Sequence, residues 1–319
     1  MSRSPLPRLR APLGLAGAQN IDNVPTSPQI DTLHHSNGLG SKPPNDSGSE
    51  RTTRRSGSVR TGAPRSRLAS RVERVLSTAL AGESRTTLDV KASELLAEAG
   101  PVAEVISAAF DKASDITGHL LVTRIFSSAG LDAELVNSLV SHDPDIRIAA
   151  AQLCAALRLT DAVPWLGDLM EDPDPRVRDA AIRALGRSGG HRAVDILMAA
   201  VDRVRQYRLA IELSRAATDL DIEMLIRKPA SIQAAVVAVL ACGLRKDRLR
   251  TNLLLGIAND RRWPADVRVV ACRALGMIGD PGTAVGIRGL IDDPEPTVQE
   301  AAGKAQRRFE RASPVEGPS

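Results

Sequence analysis

The chain has 319 residues, of which 43% are apolar and only 2% are aromatic. With so few aromatics, small aliphatic residues must build the core, which suits close helix–helix packing better than a β-sandwich or barrel. Three cysteines exclude a dense disulfide framework and favour a reducing compartment, so we expect a cytoplasmic protein. No apolar run reaches the roughly 18 residues that span a bilayer.

Positive charge is concentrated at the start of the chain. Residues 1–70 hold ten Lys/Arg and four Asp/Glu, whereas the remainder holds 32 basic and 34 acidic residues. Ser, Pro and Gly dominate residues 1–66, so we predict a disordered basic arm there. The net acidic remainder argues against nucleic acid as its ligand, whereas the arm suits an acidic partner, including nucleic acid.

The N-terminus also carries features of a targeting segment. Its first ten residues are basic, and the apolar stretch 11–18 ends in Ala16-Gly17-Ala18, as in a secretory signal. Pro12 and Gly14 interrupt that short stretch, which argues against such a signal. A Ser-rich leader of a bacterial secreted protein stays open as an alternative to a plain disordered arm.

The first amphipathic helix begins at Leu68, because apolar residues then recur on one helical face. From there a phrase recurs about every thirty residues, and its clearest copy runs from Asp174 to Gly186. A fixed period of this size predicts stacked structural repeats. The apolar residue equivalent to Val177 falls at Val90, Ile116, Ile146, Val177, Tyr207, Ile232, Val267 and Val298.

Each copy of the phrase predicts a helical hairpin. An acid followed by proline suits a helix start, as at Asp174-Pro175. We expect Gly186 and Gly276 to end the first helices in a left-handed conformation. A second helix follows, with Ala162-Val163, Ala193-Val194 and Ala284-Val285 at equivalent positions. Stacking would bury the apolar side of each hairpin against its neighbours.

The phrase Asp-Pro-x-x-Val-Arg-x-x-Ala-x-x-Ala-Leu-Gly resembles the short HEAT repeat, in its phycobilisome-lyase HEAT-like form, over residues 88–311. The resemblance implies an α-solenoid whose second helices line a concave, partner-binding surface. It also implies that the arginine that follows the Val177 position pairs with an acid of an adjacent repeat. Arg147, Arg178 and Arg268 occupy this position in their units, whereas Gln299 replaces the arginine in the last unit. We therefore predict an all-α solenoid of about seven to eight hairpins over residues 67–311, followed by a disordered tail at 312–319.

No motif for catalysis is present in the sequence. It lacks a Gly-x-Gly-x-x-Gly, a phosphate loop and a Cys-x-x-Cys, and its histidines have no metal-ligand spacing. We therefore predict no catalytic residue, cofactor or metal. The three cysteines are predicted to be core residues. Trp165 aligns with Ile196 and Ile287, so we predict that it also lies in the core.

One segment departs from the repeat and carries the candidate binding residues. Trp263 lies in a lengthened stretch beside two arginines, which has the composition of an interface hot spot; the alternative is a ring that covers the next helix start. A dense group of basic residues lies nearby, and a solvated loop and helix end is its alternative interpretation. The predicted partner-binding residues are Trp263, Arg261, Arg262, Arg245, Lys246 and Arg248.

Together these patterns predict a non-enzymatic scaffold or adaptor that binds another protein. Two alternatives stay open. One is a bilin-lyase-like enzyme of the HEAT-like repeat family, which the resemblance suggests. The other is a bacterial secreted effector or a component associated with a secretion system, which the N-terminal leader suggests. Nothing in the sequence identifies the partner.

Overall fold

The computed structural model describes residues 66–82, 87–113 and 115–312. Nearly all of the predicted arm and tail, and with them the leader, lie outside these ranges. Within them the secondary structure is helical, with no strand, which confirms the all-α prediction. No helix in the same ranges is long and apolar enough to cross a membrane.

Eight helices lie side by side in one row, each packed against the next. We call this the first-helix row, and it consists of α1 (Arg67–Leu80), α3 (Ala99–Lys112), α6 (Pro144–Ala156), α8 (Pro175–Ser188), α10 (Gln206–Ala216), α12 (Ile232–Leu244), α14 (Ala265–Ile278) and α16 (Pro296–Ala312).

A second layer of mostly shorter helices covers one side of this row. It consists of α2 (Ala92–Ala97), α4 (Ile116–Ser128), α5 (Leu131–Ser138), α7 (Val163–Asp168), α9 (His191–Ala199), α11 (Asp219–Arg227), α13 (Thr251–Asn259) and α15 (Ala284–Arg288). From α6 onward each first helix is followed by one second helix, up to α16. The described chain is thus the predicted α-solenoid of stacked hairpins.

The acid–proline pairs begin helices as predicted. A carboxylate oxygen of Asp143 accepts a hydrogen bond from the backbone N–H of Asp145 at 2.8 Å, and Asp174 accepts one from Arg176 at 2.8 Å. In both helices the following proline is the first helical residue. These helix starts therefore depend on short-range interactions that the local sequence specifies.

The predicted glycine stops are wrong. Gly186 and Gly276 lie inside α8 and α14, and the positive φ angles fall three residues later, at Gly189 (68°) and Gly279 (69°). A Cβ atom on Gly186 would lie 2.8 Å from the Cβ of Glu212 on α10. The absence of a side chain at these positions therefore allows neighbouring first helices to approach closely. The local sequence does not distinguish a glycine with this role from one that ends a helix.

The predicted register is wrong at four of the eight positions, and one of them, Val90, lies before α2 and outside any helix. Tyr207 and Ile232 are 59% and 50% exposed, whereas Val177 is fully buried, so they are not its core equivalents. Ile116 is 77% exposed at the start of α4. Because α3 packs directly against α6, α4 lies in the second layer and does not supply a first helix.

The predicted contact between arginine and the acid of the next unit is present twice. Arg147 donates to both carboxylate oxygens of Asp172, from Nε at 2.8 Å and from Nη2 at 2.9 Å. Arg268 also donates to both carboxylate oxygens of Asp293, from Nη1 and Nη2, and both side chains are almost wholly buried. Arg178 does not: among the described residues it forms no ion pair. Gln299 instead donates to the backbone carbonyl of Asp293.

The three cysteines lie in the core of the first-helix row, as predicted. Cys154, Cys242 and Cys272 are fully buried on α6, α12 and α14. Burial raises the pKa of Cys154 and of Cys242 to about 12 and that of Cys272 to about 11. Their thiols therefore stay protonated at neutral pH, as expected of core residues.

Candidate functional site: the second-helix surface

Each second helix from α7 onward begins near a buried residue, and the side chain three positions later faces outward. The buried residues are Ala162, Ala193, Asp221, Arg250 and Thr283. The positions three residues later are Trp165, Ile196, Met224, Leu253 and Gly286. We call the first four of these the apolar row, because all four carry apolar side chains at one equivalent place on successive units.

The apolar row is open to solvent at two of its members. Trp165 is 45% exposed and Met224 is 48% exposed, while Ile196 and Leu253 are half-buried. Leu220, one helical turn before Met224, is 70% exposed and widens the row on α11. The first two helices of the row, α7 and α9, are in contact here, because a Cβ atom on Gly167 would lie 3.0 Å from Cδ1 of Ile196.

The prediction that Trp165 is a core residue is wrong. The adjacent Leu166 is fully buried and occupies the core position of α7. Ile287 is also fully buried while Val285 is 77% exposed, so Ile287 corresponds to Leu166. A core spacing counted within this unit alone, from Val163 to Leu166 and Leu169, places Trp165 at the surface.

Trp263 lies partly against the core and partly against a groove. Its ring packs on the buried cluster and also lines a groove of about 390 Å³ together with Ile226, Leu253 and Ile257. Leu253 belongs to the apolar row, so the groove continues that row between α11 and α13. The role of Trp263 in binding stays a prediction.

The structure does not bring the predicted basic residues together. Arg245, Lys246 and Arg248 follow α12, whereas Arg261 and Arg262 follow α13. The intervening α13 has nine residues, which span about 13 Å at 1.5 Å per residue. The two groups therefore lie at opposite ends of one helix and cannot form a single compact patch.

Two of the five predicted basic residues have structural partners already. Arg245 donates to the backbone carbonyl of Ala217 and to the carboxylate of Asp219, which joins α12 to the preceding unit. Arg262 pairs with Asp260 at 2.7 Å. The hydrogen bonds from Arg262 lower the pKa of Asp260, so this pair is charged at neutral pH.

Three predicted cations remain exposed. Among the described residues, the side chains of Lys246, Arg248 and Arg261 form no ion pair or hydrogen bond. They are therefore the members of the predicted set that are available to a partner without first losing a contact within the chain.

These features define the protein as an α-solenoid with an apolar surface on its second layer. The model of the HEAT-repeat family matches residues 133–214, so this part of the chain consists of HEAT repeats and the resemblance is confirmed there. The matched part runs from α5 through most of α10. A comparison with curated proteins finds no match.

Several solved structures are similar to the chain. Human deoxyhypusine hydroxylase is 20% identical, with 76% of this chain and 97% of that chain covered and a TM-score of 0.31. The complex of CpcE and CpcF of phycocyanin lyase, from a Nostoc species, is 18% identical over 72% and 98%, with a TM-score of 0.29. A designed armadillo repeat protein is 15% identical over 75% and 99%, with a TM-score of 0.28. At such low identities and TM-scores, these likenesses carry no argument about function.

Proposed function

We propose that this chain is a protein-binding scaffold whose partner lies along the second-helix layer. The observation that carries the proposal is the apolar row, in which Trp165 is 45% exposed on a helix that otherwise buries its apolar residues. Large apolar side chains exposed at equivalent places on successive units are typical of an interaction site. Tryptophan is also enriched among the residues that dominate binding energy at protein interfaces.

The groove beside Trp263 supports the same proposal. A groove of about 390 Å³ accommodates one large side chain, and it adjoins Leu253 of the apolar row. An interface in which an anchoring side chain enters a pocket beside an apolar patch has the organisation of a binding hot spot. The exposed Arg248 and Arg261 at the two ends of α13 favour a partner that carries acidic groups around such an anchor.

Affinity capture with matched variants tests the proposal. The purified chain is used to capture proteins from cells of its source, and the retained proteins are identified by mass spectrometry. We expect Trp165→Ala to lose the specific partner. The control is Leu249→Ala, because Leu249 is 82% exposed but lies on the turn before α13, outside the apolar row. If both variants retain the partner equally, the apolar row is not part of the contact surface.

The two alternative functions have separate tests. Absorbance titration with a linear tetrapyrrole measures the binding expected of a bilin-lyase-like enzyme. If the chain binds tetrapyrrole or DNA tightly and captures no protein, the scaffold proposal fails. Fusion of residues 1–66 to a reporter tests whether this segment directs export, independently of what the solenoid binds.

A further inference from the structure

The Arg147–Asp172 and Arg268–Asp293 contacts recur at one place in the repeat. In both, the acid follows its arginine by 25 residues and lies in the loop before the next first helix. The same acid accepts a hydrogen bond from the backbone N–H two residues later, that of Asp174 at 2.9 Å and that of Glu295 at 3.0 Å. We call this place the inter-unit acid position.

One unit of the solenoid has a base at the inter-unit acid position. The residue 25 positions after Arg178 is Arg203. A count from the second helix agrees, because Arg203 follows the buried Ala193 by ten residues, just as Asp172 follows the buried Ala162 by ten. Two counts therefore assign Arg203 to the position that holds Asp172 and Asp293 in two other units.

Arg178 is nevertheless placed like Arg147. Its Nη1 donates to the backbone carbonyls of Asp172 at 2.7 Å and Pro173 at 3.1 Å. The Nη1 of Arg147 donates to the carbonyls at the same two positions before it, those of Ser141 and His142. In Arg147, Nε and Nη2 donate to a carboxylate. The same two atoms of Arg178 contact no carboxylate of the described chain.

A cavity of about 190 Å³ lies where the carboxylate is missing. Both Arg178 and Arg203 line it, and its apolar wall consists of Met170, Ile182, Ala200 and Val204. Glu171 also lines it, but its carboxylate pairs with Arg203. The cavity thus contains two positive charges and one negative charge, whereas each complete inter-unit contact is neutral.

We infer that this cavity binds a carboxylate side chain of the partner protein, which completes the inter-unit contact from outside the chain. A guanidinium matches a carboxylate through two parallel hydrogen bonds, and the sister units show this arrangement within the chain. One added carboxylate also neutralises the cavity. The inference rests on the proposed scaffold function, because it assigns the chemistry of one partner group.

Arg203→Asp is the decisive variant, because it supplies the missing acid from within the chain. The probe is a fluorescein-labelled hexaglutamate peptide, followed by fluorescence anisotropy. We expect the variant to bind the peptide about tenfold more weakly, the ratio typical of losing a hydrogen bond to a charged group. We also expect it to unfold at a higher urea concentration, because Arg178 gains a carboxylate. Arg178→Gln should weaken binding without that gain in stability.

Arg192→Asp is the matched control, because Arg192 is exposed on α9 and undergoes the same change of charge. We expect it to bind the peptide as the unchanged chain does. Equal weakening by Arg192→Asp and Arg203→Asp, or no binding by the unchanged chain, would overturn the inference. Stronger binding of inorganic phosphate than of the peptide would also overturn it. If Trp165→Ala loses the captured partner while Arg203→Asp binds the peptide normally, the scaffold proposal stands and the carboxylate site fails.

Discussion

Replacing Gly186 with alanine tests the close approach of neighbouring first helices. Gly186 lies on α8 opposite Glu212 of α10, and an added Cβ atom would lie 2.8 Å from the Cβ and 3.0 Å from the Cα of Glu212. The Glu212 side chain is fully buried and is held by Arg215 at 2.8 Å and Arg208 at 3.5 Å. It therefore cannot move aside without breaking these ion pairs, and the helices must separate instead.

The expected cost follows from two opposing contributions. Replacing glycine by alanine inside a helix stabilises it by about 1 kcal/mol. Overpacking a close contact in the core costs about 1–3 kcal/mol. Gly256 on α13 provides the matched control, because a Cβ atom there would meet nothing within 4 Å. The difference in unfolding free energy between Gly186→Ala and Gly256→Ala should therefore equal the packing cost of about 1–3 kcal/mol.

Urea unfolding, followed by far-ultraviolet circular dichroism, measures this difference. We expect Gly256→Ala to unfold at a higher urea concentration than the unchanged chain and Gly186→Ala to unfold at a lower concentration than Gly256→Ala. A Gly186→Ala variant as stable as Gly256→Ala would refute the close contact between α8 and α10.

Two further predictions concern ion pairs. Asp293→Ala should lower the unfolding free energy by about 3–5 kcal/mol, because it leaves Arg268 buried without its partner; Asp260→Ala, which removes the partner of an exposed arginine, should have a much smaller effect in the same urea titration. The hydrogen bond that His191 donates from Nδ1 to the Asp221 carboxylate raises the pKa of His191, so its stabilisation is present below the ordinary histidine pKa and is lost as the pH rises through the raised value. His191→Gln should therefore lower the melting temperature at about pH 5 and leave it unchanged at about pH 9, and a pH-independent effect would contradict this assignment.

The sequence was most informative about features with short-range causes. The acid–proline pairs predicted the starts of α6 and α8, because a helix start depends on hydrogen bonds between residues two or three apart. The thirty-residue period predicted stacked hairpins, because each hairpin has one apolar side that a neighbour must cover. The Arg147–Asp172 contact was predictable only through the family resemblance, since its two residues are 25 positions apart.

The candidate site was predicted less well. Trp165 was assigned to the core because an alignment between units slipped by one residue, and in a helix a shift of one position rotates a side chain by about 100°. The basic residues were grouped because they are close in sequence, but α13 separates them in space. No sequence motif marks Arg203, because its position becomes distinctive only beside the loops that hold Asp172 and Asp293.

By itself, then, the sequence determined the helical class, the repeat period, the helix starts and the burial of the cysteines. The tertiary structure decided which glycines allow helices to touch, which tryptophan faces solvent, and which arginine lacks a carboxylate. The physical reason is the range of the interactions. Helix starts and amphipathic faces depend on neighbours within a few residues, whereas close packing, exposure and inter-unit ion pairs depend on residues that meet only after the hairpins stack.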